Sequence, residues 1–263
     1  MSTETWNLAD RPSGILMGKA GLVTGAASGI GRACAIKIAQ EGGSVVVADL
    51  ETSRISGEEV VQEIQGFGGT ASFFACDVAA EKDSQFLVDD VVANYGRLDF
   101  AVNNAGIGHY VKLVDTRVED FDRVMAVNLR GTFLGMKSQI LQMLQSGGGS
   151  IVNTSSSAGL RAVNLLSAYS ASKHGILGLT KCAALEYAND GLRVNAVCPG
   201  AIMTPLMEVR SIDYQNELVR PQAMSRFGQP GEVAAAIAWL CSDESSFVTG
   251  VALPVDGGGD SSL

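Results

Sequence analysis

Histidine is nearly absent, with two in 263 residues. The five cysteines (Cys34, Cys76, Cys182, Cys198 and Cys241) are odd in number, widely spread and without a C-x-x-C spacing. That excludes a structural zinc site and a disulfide framework, and the cysteines read as small buried hydrophobes. No metal is expected. No run of about 18 uncharged apolar residues exists, so no segment reads as a membrane-spanning helix. Residues 1–14 are polar and lack the apolar core of a signal peptide, so they read as an extension, and a cytoplasmic protein is expected. Cationic excess is missing as well. Lys+Arg 19 against Asp+Glu 28 leaves a net charge of −9, which argues against nucleic acid or anionic lipid as partners. Proline is scarce, at 6, while glycine reaches 31, a balance that suits many tight turns between regular elements.

What is present is enough for a core. Apolar residues make up 46% and charged residues 18%, which excludes a disordered chain. Short β-branched runs at 21–24, 44–49, 70–76, 99–103, 150–154, 193–198 and 251–255 read as strands. Helical spacing appears at 30–40, 58–64, 84–95, 121–144, 168–188 and 232–240. The strand runs are continuously apolar, as expected when helices cover both faces. Regular βαβ alternation predicts an α/β fold: one doubly wound parallel sheet of Rossmann type, formed by residues 15–263 as a single domain. Ligands in such sheets bind beyond the carboxyl ends of the strands.

Two local patterns carry chemistry. The first is Thr24-Gly25-Ala26-Ala27-Ser28-Gly29-Ile30-Gly31, between a strand and a helix. Its glycines permit a tight turn and let backbone approach a pyrophosphate, and the following helix offers free N–H groups. Asp49 ends the second strand, 18 residues after Gly31. A carboxylate there can accept both ribose hydroxyls and would repel a 2′-phosphate by about 1–4 kcal/mol at 4 Å. No Lys or Arg stands at Ser28 or Leu50 to offset it, so NAD is favoured over NADP. The second pattern is Tyr169-Ser170-Ala171-Ser172-Lys173, which puts Tyr169 and Lys173 on one helix face. An ammonium about 4 Å away favours phenolate by about 4 kcal/mol, or roughly 3 pK units. Burial opposes it.

The order of Gly25/Gly29/Gly31, Asn103-Asn104-Ala105-Gly106, Asn128, Ser156, Tyr169/Lys173 and Pro199-Gly200 resembles the short-chain dehydrogenase/reductase family, over about residues 17–258. The resemblance implies a set of roles. The glycine loop, with Ser28 and Ile30, holds the cofactor's pyrophosphate, Asp49 selects NAD, and Asp77-Val78 lies beside the adenine. Asn104, Ala105 and Gly106 line the cofactor groove. Asn128 holds a water in a proton relay, Ser156 orients the substrate oxygen, and Tyr169 is the acid/base. Lys173 binds the nicotinamide ribose and lowers the tyrosine's pKa. Pro199, Gly200, Ile202 and Thr204 grip the carboxamide. Ser156 precedes Tyr169 by 13 residues, the family spacing; Ser155 should turn away because side chains alternate along an extended chain.

The resemblance also makes residues 202–227 a mobile lid over the substrate. Met203, Leu206, Met207, Val209, Tyr214 and Met224 give it an apolar character, with Arg210 and Asp213 among them. Leu160, Val163, Leu165 and Leu166 are expected as further apolar walls and Ser157 as a neighbour of the pocket, while Arg161 reads as a solvated loop arginine, with contact to a substrate acid group as the second reading. His109 reads as a loop residue and His174 as packing or interface. The family usually forms tetramers. A homotetramer is expected, with a dimer as the second reading. The activity expected is hydride transfer between NAD(H) and a fairly apolar or cyclic secondary alcohol or ketone. The alternatives are a 3-oxoacyl thioester reductase of the acyl-carrier-protein type and an NAD-sensing binding protein without turnover.

Overall fold

The apolar runs become the strands of one sheet in the computed structural model, which describes residues 14–208 and 211–261, the side chains of Leu206, Glu208 and Tyr214 excepted. Of the expectations above, the polar extension before Gly14 and the lid residues Val209 and Arg210 lie outside the described residues, as do the side chains of Leu206 and Tyr214.

Seven strands pair in parallel: β1 (Ala20–Thr24), β2 (Ser44–Asp49), β3 (Thr70–Ala75), β4 (Phe100–Asn103), β5 (Gly149–Thr154), β6 (Leu192–Pro199) and β7 (Ala252–Val255). Their order is β3-β2-β1-β4-β5-β6-β7. Successive side chains of a strand face opposite ways, and both faces are covered. Val23, Val45, Val47 and Val102 meet α1 (Gly29–Gln40), α2 (Arg54–Gly66) and α9 (Pro230–Cys241) on one face. Leu22, Val46, Ala101 and Ile151 meet α3 (Glu81–Tyr95), α5 (Gly131–Ser146) and α6 (Ser167–Tyr187) on the other. Strand order reverses between β1 and β4, and this opens the crevice where ligands bind in such sheets.

Two short helices in the region read as irregular, α7 (Pro205–Glu208) and α8 (Ile212–Val219), depart from the sequence expectation. The helix expected at 121–144 is longer and interrupted. It runs as α4 (Val118–Val124), a wide π-helical turn (Met125–Arg130) and then α5. Extra-residue turns of this kind concentrate at functional sites, and this one carries Asn128.

A buried chain of amides crosses the middle of the sheet. Asn103 and Gln139 exchange two hydrogen bonds, of 2.8 and 3.0 Å. Asn103 Nδ2 also donates to Asn153 Oδ1 at 2.9 Å, and Asn153 Nδ2 donates to Thr180 Oγ1 at 2.9 Å. The chain thereby links α5, β4, β5 and α6.

All five cysteines are free, and Cys182 alone is exposed; the other four are buried as expected. Among the described residues no group of three potential metal ligands occurs, and no helix is long and apolar enough to cross a membrane.

Candidate active site

The glycine loop is held against the segment that follows β4. Thr24 Oγ1 accepts from the N–H groups of Asn104 and Ala105, at 3.0 and 3.1 Å. Asn104 Nδ2 donates to the carbonyls of Thr24 and Gly25, at 3.0 and 3.3 Å. This closeness requires glycine. A Cβ at Gly31 would sit 2.1 Å from the Gly25 carbonyl oxygen, and one at Gly25 would sit 2.8 Å from Ala105 Cα, with Gly25 at φ +64°. Ser28 precedes α1 in extended conformation, and its side chain makes no capping bond. The first-turn N–H groups, which no helix satisfies internally, are left for an anion.

Asp49 stands at the edge of this loop. Its Oδ2 accepts from Ala27 N at 3.0 Å and its Oδ1 from Leu50 N at 2.8 Å. Each carboxylate oxygen keeps acceptor capacity beyond those bonds. Asp77 is exposed and accepts from Ala79 N at 3.0 Å. Val78 packs on Gly131, where a Cβ would lie 3.0 Å from Val78 Cγ2. Loop, Asp49 and the Asp77-Val78 pair thus occupy the carboxyl ends of β1, β2 and β3, as a dinucleotide's adenosine half requires. The residues present fit such a cofactor.

On the other side of the switch point, α6 presents Tyr169 and Lys173. Lys173 is buried, and its Nζ donates to the Thr154 carbonyl at 2.7 Å while standing 5.5 Å from the centre of the Tyr169 ring. The Ser156 hydroxyl accepts from Ala158 N at 3.1 Å and hydrogen-bonds the Tyr169 phenol. Ser155 turns away as alternation predicts, and its Oγ donates to the Lys173 carbonyl at 2.9 Å.

Burial pushes the Tyr169 phenol up to about 12; the Ser156 hydrogen bond opposes this and the nearby Tyr110 phenol adds to it. Burial likewise brings Lys173 down to about 8. Desolvation disfavours the charged form of both groups.

Asn128 sits behind the cavity wall, fully buried in the wide turn. Both its N–H donors are engaged, by the Ile107 carbonyl at 2.9 Å and Ser172 Oγ at 3.0 Å, and Oδ1 accepts from Ile107 N at 2.8 Å. The side chain therefore clamps the strand-end loop to α6. A Cβ at Gly106 would lie 3.2 Å from Asn128 Oδ1 and 3.5 Å from Lys173 Nζ, so the three residues adjoin.

A cavity of about 470 Å³ opens at the carboxyl ends of the strands. Ile30, Asn104 and Gly106 line it from the nucleotide half, Ser156, Tyr169 and Lys173 from the floor, and Pro199, Gly200, Ile202 and Thr204 from beyond β6. A Cβ at Gly29 would meet Thr204 Cγ2 at 3.4 Å, so Thr204 reaches the glycine loop. Met207, Val163, Leu166, Ser157, Arg161 and Tyr110 also line the cavity. Leu160 packs toward Leu177 and Cys198, and Leu165 is exposed, so neither is the apolar wall expected. Met224 is exposed too, and His174 lies on the surface with Nδ1 2.9 Å from the Ser170 carbonyl. Gln222 was not anticipated. Buried within the 202–227 segment, it accepts from Ala201 N at 3.1 Å and donates to the Arg226 carbonyl at 2.7 Å. A lone glutamine carries no periodic or motif signal that could have marked it.

A family model described as Enoyl-(Acyl carrier protein) reductase matches residues 25–260. The chain belongs to the short-chain dehydrogenase/reductase family. It is an oxidoreductase of the short-chain alcohol dehydrogenase/ketoreductase type, and a nicotinamide cofactor goes with that membership. Similar relatives include cyclohexanol dehydrogenase of Acinetobacter sp. (strain SE19), 44% identical over 241 residues that cover 91% of this chain and 94% of that protein. A 3-oxoacyl-(acyl-carrier-protein) reductase of Thermotoga maritima is 41% identical over 243 residues, covering 92% and 98%. Among solved structures, that of levodione reductase superposes with a TM-score of 0.89 at 33% identity, covering 94% of this chain and 100% of the other.

Proposed function

We propose that this short-chain dehydrogenase/reductase uses NAD(H) to interconvert a fairly apolar, cyclic secondary alcohol and its ketone. One observation carries the reading: Ser156, Tyr169 and Lys173 face a single cavity whose other walls include the glycine loop's Ile30 and the lid's Met207. The bound dinucleotide supplies or receives the hydride.

The chain's residues do the rest. Ser156 donates to the substrate oxygen, and Tyr169 gives its proton to that oxygen in reduction and removes it in oxidation. Lys173, fixed by Thr154, holds positive charge beside the phenol and donates to the nicotinamide ribose. Asn128 acts as a positioning residue, since its side-chain N–H groups already hold Ile107 and Ser172. Gly25, Gly29, Gly31 and the Ser28–Ile30 backbone bind the pyrophosphate, Asp49 the adenosine ribose and Asp77-Val78 the adenine edge. Asn104, Ala105 and Gly106 line the groove. Pro199, Gly200, Ile202 and Thr204 meet the carboxamide, and residues 202–227 form the lid. Asp49 supports NAD over NADP because its carboxylate would face a 2′-phosphate. The name of the Acinetobacter relative supports a cyclic alcohol.

Absorbance at the reduced nicotinamide band tests the reading, with cyclic, aliphatic and steroid alcohols and ketones. Turnover of cyclic substrates with NAD(H) is expected. The Thermotoga relative favours a second reading, reduction of a 3-oxoacyl thioester. Turnover of such thioesters with NADPH, and none of cyclic ketones with NADH, would establish that one instead.

The same chain is proposed to assemble as a homotetramer. Phe133, Leu141 and Leu144 on α5 and Leu185 on α6 are exposed apolar side chains, an arrangement that supports packing between copies. Light scattering on the purified chain reads the assembly directly.

A further inference from the structure

Arg161 is the cavity cation that the chemistry above leaves unused; Glu217 and Asp256 are the carboxylates of the same lining. It follows β5 on the short turn at Ser157–Gly159, and its N–H donates to the Ser157 carbonyl at 3.1 Å. Two cations line the cavity, and Lys173 is already held by Thr154. The Arg161 guanidinium reaches across toward the C-terminal turn, where a Cβ at Gly259 would lie 3.6 Å from Nη2 and 3.5 Å from Asp256 Oδ2. Among the described residues no hydrogen bond joins Asp256 to Arg161; its carboxylate accepts from Gly258 N at 3.0 Å and Asp260 N at 2.7 Å. Arg161 Nε is buried and has no hydrogen-bond partner.

A guanidinium has five N–H donors and no acceptor, so only an acceptor can complete it, and paired oxygens fit its fork best. We infer that Arg161 is a specificity-determining residue that receives a second oxygen acceptor of the substrate, a carbonyl or carboxylate remote from the carbon that exchanges hydride. This rests on the reaction proposed above. It narrows the substrate to a bifunctional ring: apolar in its body, polar at both ends. Ser156 and Tyr169 take one end and Arg161 the other.

The test compares the full chain with its Arg161→Met and Arg161→Lys variants on cyclohexanone, 1,4-cyclohexanedione and 4-oxocyclohexanecarboxylate. In Arg161→Met, kcat/KM on the two bifunctional ketones should fall by about ten- to a hundredfold, while cyclohexanone stays within about twofold. Loss on the keto acid alone assigns the site to carboxylates, and loss on both assigns it to any oxygen acceptor. Arg161→Lys should restore part of the keto-acid activity. An equal change on all three ketones overturns the inference. Calorimetric binding of cyclohexanecarboxylate, which has no ketone to reduce, reads the site without turnover. Its affinity should drop by about tenfold or more in Arg161→Met; equal affinity for both proteins also overturns the inference. If the wild-type chain binds cyclohexanecarboxylate through Arg161 but reduces none of the ketones, the proposed reaction fails while the acceptor site stands.

Discussion

Lys173 Nζ stands 5.5 Å from the centre of the Tyr169 ring, anchored there by the Thr154 carbonyl. The cation is thus presented to the phenol by the sheet and does not swing freely on its stem. Replacing Tyr169 by Phe leaves this anchor, Ser156 and the glycine loop in place. Turnover should fall by at least about a thousandfold, as for loss of a proton-transfer group together with a donor to the reacting oxygen. NAD affinity by fluorescence titration should change by no more than a few-fold. Wild-type turnover in this variant would remove Tyr169 from the mechanism.

The raised phenol sets the direction of pH dependence. Reduction needs Tyr169 protonated, and with a pKa pushed up to about 12 it stays protonated across the neutral range. Reduction should therefore be flat from about pH 5 to 7, below the loss of charge on Lys173 near 8, whereas oxidation, which needs phenolate, should keep climbing above pH 9. Rate profiles in both directions check this. An oxidation rate that levels off below pH 7 would contradict it.

Stability carries the opposite signature of Lys173. Its folded-state pKa of about 8 lies below the ordinary 10.5, so between those values the unfolded chain binds more protons. Lys173's own contribution should therefore rise with pH in that window, while the buried Cys34, Cys76, Cys198 and Cys241 thiols, all pushed up by burial, subtract stability from about pH 9 and Tyr169 does so above pH 10. The stability of the wild-type chain relative to Lys173→Met should increase from pH 8 to 10. Denaturant midpoints at pH 8 and 10 provide the comparison, and an unchanged slope in the variant would count against it.

Asp49→Ser tests the cofactor preference. The variant should lose about ten- to a hundredfold in kcat/KM with NAD and gain with NADP as the repulsion on a 2′-phosphate disappears. The ratio of the two constants is the measurement, and no change in it would dismiss Asp49 as the selector.

Two glycines should respond in opposite ways. Gly31→Ala puts a methyl 2.1 Å from the Gly25 carbonyl and should destroy dinucleotide binding. Gly178, exposed on α6, has nothing within 4 Å of its missing Cβ. Gly178→Ala should therefore stabilise the chain by about 0.5–1 kcal/mol through better helix propensity. Calorimetry on both variants separates a steric requirement from a conformational one.

The strands were legible because the five inner ones are apolar runs buried on both faces, and the limits of all seven, including the partly buried edge strands β3 and β7, fall within about one residue of those expected. The placing of Tyr169 and Lys173 on one helix face followed from local spacing, whereas the approach of Gly25 to Ala105 had no local signal. What was hidden depends on three-dimensional surroundings. Attraction between Lys173 and Tyr169 can be deduced from helical spacing, but the desolvation of both groups is a property of the packed site. The buried Gln222 and the inward turn of Leu160 depend on partners more than 20 and about 17 residues away respectively, at Ala201 and Leu177. Helices α7 and α8 are too short for periodicity to declare them.

The amide chain from Gln139 through Asn103 and Asn153 to Thr180 ends on the same helix that bears Tyr169, three turns further along. If α6 slid by one position, an amide would face hydrocarbon and the relay would break. The angle at which the phenol enters the pocket is therefore decided in the dry centre of the sheet, well away from any ligand. A substitution at Asn153 would then be felt as a misdirected proton.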